Sequence, residues 1–215
     1  VLQAAAVLGR SFPLEGLASL LGRARDLSGA VRRLEHLRFV QRDTRDRTDG
    51  ECYRFDHGML HEVVYRGIST QGRRAWHARA ALWLDEEVKV HLPDGCAAVA
   101  QHYEHAGDLG RAARAWIRAA ESANAAWASS QAQRAFEQAL ALDDRHGGLL
   151  DTRERGGACA AAGILAHAAG ELERADALLE QGVELTPADQ PAPKAERMRR
   201  RALTLEARGQ AERAG

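Results

Sequence analysis

Lysine is nearly missing. Only Lys89 and Lys194 occur among 30 basic residues, so arginine carries almost all the positive charge of this 215-residue chain. Neither lysine follows a glycine run, so there is no G-x-x-x-x-G-K-[ST] phosphate-binding loop. G-x-S-x-G and G-x-G-x-x-G are absent too. If a longer parent protein hydrolyses a nucleotide, its catalytic loop lies outside this sequence. Cysteine is sparse: Cys52, Cys96 and Cys159 are far apart, odd in number and without a C-x-x-C. That argues against a disulfide framework or a structural zinc site and fits a reducing, cytoplasmic compartment. Aromatic residues make up only 5%, while alanine is abundant, which favours closely packed helices over a β-sandwich. Formal net charge is zero, so no global field draws the chain to nucleic acid or an anionic membrane. No signal peptide and no apolar run of membrane length is present. Beginning VLQ and ending RAG, the chain reads as a piece of a longer protein.

What is there divides into two textures. In residues 1–70, VLQAAAVLG (1–9) reads as a short apolar helix, broken at Arg10 to Pro13, with Pro13 suiting the first turn of LEGLASLLG. Asp26 can cap a third helix that places Leu27, Val31, Leu34 and Leu37 on one face and Arg32, Arg33, Glu35 and Arg38 on the other. FVQRD (39–43) and ECYRF (51–55) read as two strands around TRDRTDG, where Asp49-Gly50 signals a turn. A fourth helix starts near His57, with Leu60, Val63, Val64 and Ile68 as its inner side. This order of elements predicts a winged-helix domain with a small β-hairpin over residues 1–70.

From residue 71 to 215 the pattern is helix after helix. Trp76, Ala80, Trp83 and Leu84 form one stripe, and HLPDG (91–95) reads as a linker. GDLGRA (107–112), GELERA (170–175) and GQAERA (209–214) then share G-x-[LA]-x-R-A. Ala112, Trp116 and Ala119 match Ala175, Leu179 and Gly182, and a fainter copy carries Ala132, Phe136 and Ala139. In each copy a glycine ends one helix in a left-handed turn, a small residue lets the next helix approach, and a bulky residue fills the gap one turn later. That is the tetratricopeptide pattern. It predicts a degenerate, mostly α solenoid with longer loops at 143–150 and 188–194. Its concave surface would take a protein or peptide partner.

Two histidines in YRFDHGMLH, His57 and His61, stand four apart with Glu62 beside the second. On a helix such a pair can share a metal ion, and a metal-dependent enzyme is one reading. The spacing H-x-x-x-H-E is neither zincin pattern, and His102 and His105 sit in the other predicted domain, so a partly buried His61 with one satisfied nitrogen fits better. His57 stands at a helix N-terminus, where backbone N–H groups and the helix dipole favour an anion. A plain turn residue is the commoner occupant of such a place. A DNA-binding winged helix using Arg32, Arg33 and Arg38 is a further reading. It is opposed by charge balance: residues 1–70 hold eleven arginines against nine carboxylates. Trp116, Trp127 and Tyr103 read as packing residues.

Taken together, VLQAAAVLGRSFPLEGLASLLG, LEHLRFVQRD, YRFDHGMLHEVVYRGIS, RRAWHARAALWL and AQHYEHAGDLGRAARAWIRAA resemble the region that follows the ATPase core in bacterial STAND-type signalling ATPases. These include LuxR-type large transcriptional activators and relatives fused to a class III adenylate cyclase or a Ser/Thr kinase domain. The resemblance implies a non-catalytic regulatory segment, with the ATPase core as its partner in cis. It holds no cofactor of its own, and ATP or ADP is bound by the complete protein. It also implies that His57, on the H of the family's F-x-H-A-L-x-x-E-x-x-Y, touches the nucleotide's phosphate. Asp56 and Gly58 depart from that pattern, the first by placing a carboxylate next to the phosphate position.

Overall fold

The computed structural model describes residues 1–22, 26–43, 50–90 and 95–214, leaving aside the side chains of 87–90, 210 and 212–214. Among the described residues the chain forms eleven helices and three short strands. They divide into two compact units, Val1–Leu92 with Gln101–Asp108, and Pro93–Ala100 with Leu109–Gly215. The turn at Asp49 and most of the HLPDG linker lie outside the described residues.

The first unit runs α1 (Leu2–Leu8), β1 (Ser11–Pro13), α2 (Leu14–Leu21), α3 (Leu27–His36), β2 (Val40–Arg42), β3 (Cys52–Phe55), α4 (Gly58–Arg66) and α5 (Thr70–Val90). The two expected strands pair antiparallel, Val40 opposite Phe55 and Arg42 opposite Tyr53. The sheet is larger than a hairpin, however. β1 joins the other side of β3, giving the order β1-β3-β2, with Ser11 opposite Arg54 and Pro13 opposite Cys52. What the sequence shows as a break at Arg10 to Pro13 is therefore a strand. Three residues are too few to display an alternating pattern, but Phe12 is fully buried against the rings of Tyr53 and Phe55. Proline, lacking an N–H, is tolerated there because β1 is an edge strand.

Local signals account for most of the helices. The Asp26 carboxylate accepts the Gly29 N–H at 3.1 Å and caps α3. In α4 the expected inner face holds at Leu60, Val64 and Ile68 but not at Val63. Leu60, His61, Val64 and Tyr65 are half-buried, whereas Val63 is 66% exposed, and Ile68 is buried just beyond the helix end. A histidine and a tyrosine occupy inward positions that the apolar pattern alone assigns to valine. Leu37 likewise ends exposed, at the C-cap of α3. The core gathers Ala4 to Val7, Phe12, Leu17, Leu20, Val31, Val40, Phe55, Ile68 and Ala80. α5 packs on α1 and α2, where Gly16 admits the Trp83 indole so closely that a Cβ would lie 2.7 Å from it.

α6 (Cys96–Ala106) contributes its first residues to the second unit and its last to the first. The second unit continues with α7 (Leu109–Ala125), α8 (Ser129–His146), α9 (Thr152–Ala168), α10 (Leu172–Glu184) and α11 (Pro191–Ala214). α7 packs on α8, α8 on α9, α9 on α10 and α10 on α11. Ala112, Ala132, Ala139 and Ala175 are fully buried, with Phe136 and Leu179 as the bulky partners. A Cβ on Gly163 would come within 2.8 Å of Leu179, and one on Gly182 within 3.1 Å of the Ala160 backbone, so both glycines set helix separation.

The expected loops are shorter than read. α8 continues to His146, because Asp143 is buried inside it and accepts the N–H groups of Leu149 and Leu150 and the Arg155 guanidinium. Likewise α11 begins at Pro191, inside the segment read as a loop. Gly209 does not end a helix. α11 runs through it, since one glycine costs only about 1 kcal/mol in a run of strong helix formers.

The turn that glycine makes between these helices is also made without glycine. At Gly107 (φ 85°) and Gly170 (φ 82°) the glycine N–H donates to the carbonyl three residues back, and the next N–H to the carbonyl five back. This is the Schellman arrangement. At Trp127 (φ 61°) its own N–H donates to the Asn124 carbonyl at 3.0 Å and the Ala128 N–H to the Ala123 carbonyl at 2.8 Å. Counting from Trp127, Ala132, Phe136 and Ala139 fall where Ala175, Leu179 and Gly182 fall from Gly170. The faint copy looks faint because tryptophan stands in for its glycine. Among the described residues no helix is long and apolar enough to cross a membrane.

Candidate functional site

β3 delivers the chain to the start of α4, where His57 is the N-cap in an extended conformation with its side chain 79% exposed. The Asp56 carboxylate beside it accepts the Gln41 amide at 2.7 Å and lies 3.9 Å from His57 Nε2. The Asp56 N–H donates to the Phe39 carbonyl, which ties this corner to β2. Arg10, entering from the residue before β1, brings its guanidinium to 3.7–3.9 Å from the position a Gly58 Cβ would take. An imidazole, a guanidinium and a helix N-terminus thus meet at one exposed corner, an arrangement suited to an oxyanion, with Asp56 opposing it. Met59 and Val63 are exposed on α4, and Leu37 and Phe39 are exposed between α3 and β2. Arg10 is absent from any sequence motif, and only its pairing beside β3 reveals it.

His61 is not a partner of His57. Its Nε2–H donates to the Ala6 carbonyl at 2.9 Å, and its ring packs edge-on to Phe55 and parallel to Tyr65. That hydrogen bond holds α4 to α1. Among the described residues no three His, Cys, Asp or Glu side chains are grouped to hold a metal ion.

From His61 a line of rings continues through Tyr65 on α4 to His77 on α5 and to His102 and His105 on α6, all within the first unit. The sequence reading, with its boundary at residue 70, places His77, His102 and His105 alike in the repeat domain. The structure assigns all three to the first unit, which takes in α5 and the end of α6. The Tyr65 hydroxyl is hydrogen-bonded to His77 Nε2 at 2.8 Å, and His77 Nδ1 to His102 Nδ1 at 2.9 Å. Both imidazoles are buried, His77 5% and His102 9% exposed. Burial, reinforced by the neighbouring imidazoles and Arg73, depresses His77 to about 3. Burial and then His105 depress His102 to about 4. His105 Nδ1–H donates to the Gln101 carbonyl at 2.7 Å. No spacing in the sequence signals this group, since His77 and His102 are 25 residues apart.

Arg32, Arg33 and Arg38 are exposed, with Arg33 3.9 Å from the Asp26 carboxylate and Arg38 in a left-handed conformation (φ 59°) past the end of α3. In the second unit, α7 and α9 border an open cavity of about 610 Å³ with Phe136 at its floor. The Arg114–Glu154 ion pair, 2.7 Å, joins its two banks. No protein family, no curated protein and no solved structure matches this chain.

Proposed function

We propose that this chain is the regulatory region of a bacterial STAND-type signalling ATPase. In this reading a winged-helix module couples the nucleotide state of an adjoining ATPase core to tetratricopeptide-like repeats, and neither part performs chemistry. The observation that carries the reading is the exposed corner formed by Arg10, His57 and the start of α4, an arrangement suited to an oxyanion, with Met59 exposed in the first turn of that helix. Such a surface suits a partner that presents a phosphate within a protein interface. The element order supports it: helix, strand, two helices and two strands, with the first strand paired to the third, is the winged-helix order. The glycine-type turns and small-residue crossings of α7–α10 support the repeat reading. ATP or ADP would be bound by the core, with His57 and Arg10 reaching its phosphates. A protein or peptide would occupy the cavity between α7 and α9.

The longer protein that this reading requires supplies the test. Hydrogen exchange with and without ADP should show added protection at residues 10 and 53–62, and His57→Ala with Arg10→Ala should remove the difference. Equal exchange in both states, or no phosphate-binding loop encoded upstream of Val1, would refute it.

A further inference from the structure

The buried imidazole pair of His77 and His102 does nothing in the reading above, yet it is built with care. Tyr65, His77 and His102 come from three different helices, α4, α5 and α6, and a single chain of hydrogen bonds joins them. The joint has a strict proton count. At 2.9 Å only one hydrogen fits between the two Nδ1 atoms. Two neutral imidazoles satisfy this, one as donor and one as acceptor, and so does one imidazolium donating to a neutral ring. Two imidazoliums do not, because each Nδ1 would then carry a hydrogen aimed at the other.

We propose that the Tyr65–His77–His102 chain is an acid-sensitive fastener that holds the Gln101–Ala106 end of α6 to α4 and α5 and releases it when both imidazoles become charged. The neighbours whose charge acts on His77 and His102 all disfavour the charged forms. On α4 the groups near the pair are His61, which is committed to the Ala6 carbonyl, and Tyr65 itself; Glu62 faces solvent and pairs with Arg66. On α5, Arg73 lies over the Tyr65 ring at 5.5 Å, and Asp85 is the acceptor for the Tyr103 hydroxyl. On α6, His105 stacks on His77. α1 has no ionisable side chain, and α2 has only the exposed Glu15. Arg73, His102 and His105, the neighbours whose charge acts on His77, all oppose its protonation. Burial disfavours even a single charge on the closed pair, and opening exposes both rings to water, where histidine titrates near its ordinary value, so each opened fastener takes up two protons. The inference is independent of whether the chain belongs to an ATPase.

The test is native-state hydrogen exchange of the α6 amides from Tyr103 to Ala106, corrected for the intrinsic pH dependence of exchange. Between pH 6 and pH 5 the opening equilibrium should rise about sixty-fold if two histidines charge on opening. In His102→Gln, which keeps a neutral hydrogen-bonding group, the rise should shrink to about eight-fold. His105→Gln should leave it near the native figure. A native rise of about eight-fold or less, or no reduction in His102→Gln, overturns the proposal. Should that variant fail to fold, imidazole nitrogen resonances of the native chain decide. Coupling across Nδ1–H···Nδ1 at pH 6 supports the fastener, and both rings charging near the ordinary histidine value in the folded state overturns it.

Discussion

Replacing Trp127 with glycine should make the protein more stable, although it deletes the largest kind of side chain. Trp127 holds φ at 61°, a left-handed conformation that costs an L-residue about 1–2 kcal/mol and glycine nothing. Its side chain is 92% exposed, so truncation forfeits almost no burial. Glycine also loosens the unfolded chain, which returns about 0.4–1 kcal/mol of the gain. The net expectation for Trp127→Gly is a stabilisation of about 0.5–1 kcal/mol. Trp127→Ala retains a Cβ in the same strained backbone and should change stability by less than about 0.5 kcal/mol. The reciprocal change completes the set. A Cβ on Gly170 would meet nothing within 4 Å, so Gly170→Ala tests the backbone alone and should cost about 1 kcal/mol. Because the two units need not unfold together, the assay is hydrogen exchange of the α7–α8 and α9–α10 amides under mild denaturant, with far-ultraviolet circular dichroism for the whole. Trp127→Gly falling below Trp127→Ala, or Gly170→Ala proving neutral, would refute the equivalence of the turns.

Other outcomes follow from the same geometry. Gly163→Ala forces a Cβ to 2.8 Å from Leu179 and should cost about 1–3 kcal/mol by overpacking, whereas Gly110→Ala, which meets only the Arg114 guanidinium at 3.6 Å, should be neutral or stabilising in thermal melts. The depressed His77 and His102 bind protons in the unfolded chain before the folded one does, so their stability contribution is whole above about pH 6.5 and declines as pH falls through 6 towards 4. From pH 7 to pH 5 the first unit should lose about 3–4 kcal/mol, measured by urea denaturation, and His77→Phe/His102→Phe should flatten that slope. Asp143→Ala strips the acceptor from Leu149, Leu150 and Arg155 and should cost about 3–5 kcal/mol in the same assay. His57→Ala should leave stability within about 0.5 kcal/mol, since its ring is exposed and caps nothing.

Features written in neighbouring residues were legible. Asp26 announces α3 by the capping chemistry it performs, and the strands around Val40 and Cys52 fall within a residue of the runs that signal them. Gly170 marks its turn for the same reason: only local backbone geometry is involved. His61 also followed its local logic, a helix residue turned inward with one nitrogen satisfied. β1 escaped notice because its pairing is decided by Phe12 finding Tyr53 and Phe55 more than forty residues away.

The candidate site divides along the same line. His57 can be read from its place between a strand and a helix, but Arg10 reaches that corner only because β1 pairs with β3. The imidazole pair depends on α6 returning to α5, and no residue between His77 and His102 records that event. Trp127 carries the lesson furthest. A search for repeated residue types passes over it, because the repeated quantity is a backbone angle that glycine adopts freely and tryptophan only at a cost. The turn alone does not mark a copy, since Arg38 closes α3 with the same two hydrogen bonds at φ 59°; the spacing of the residues that follow must agree as well. α7–α8 and α9–α10 share both the turn and the small–bulky–small spacing that follows it, 43 residues apart from Trp127 to Gly170.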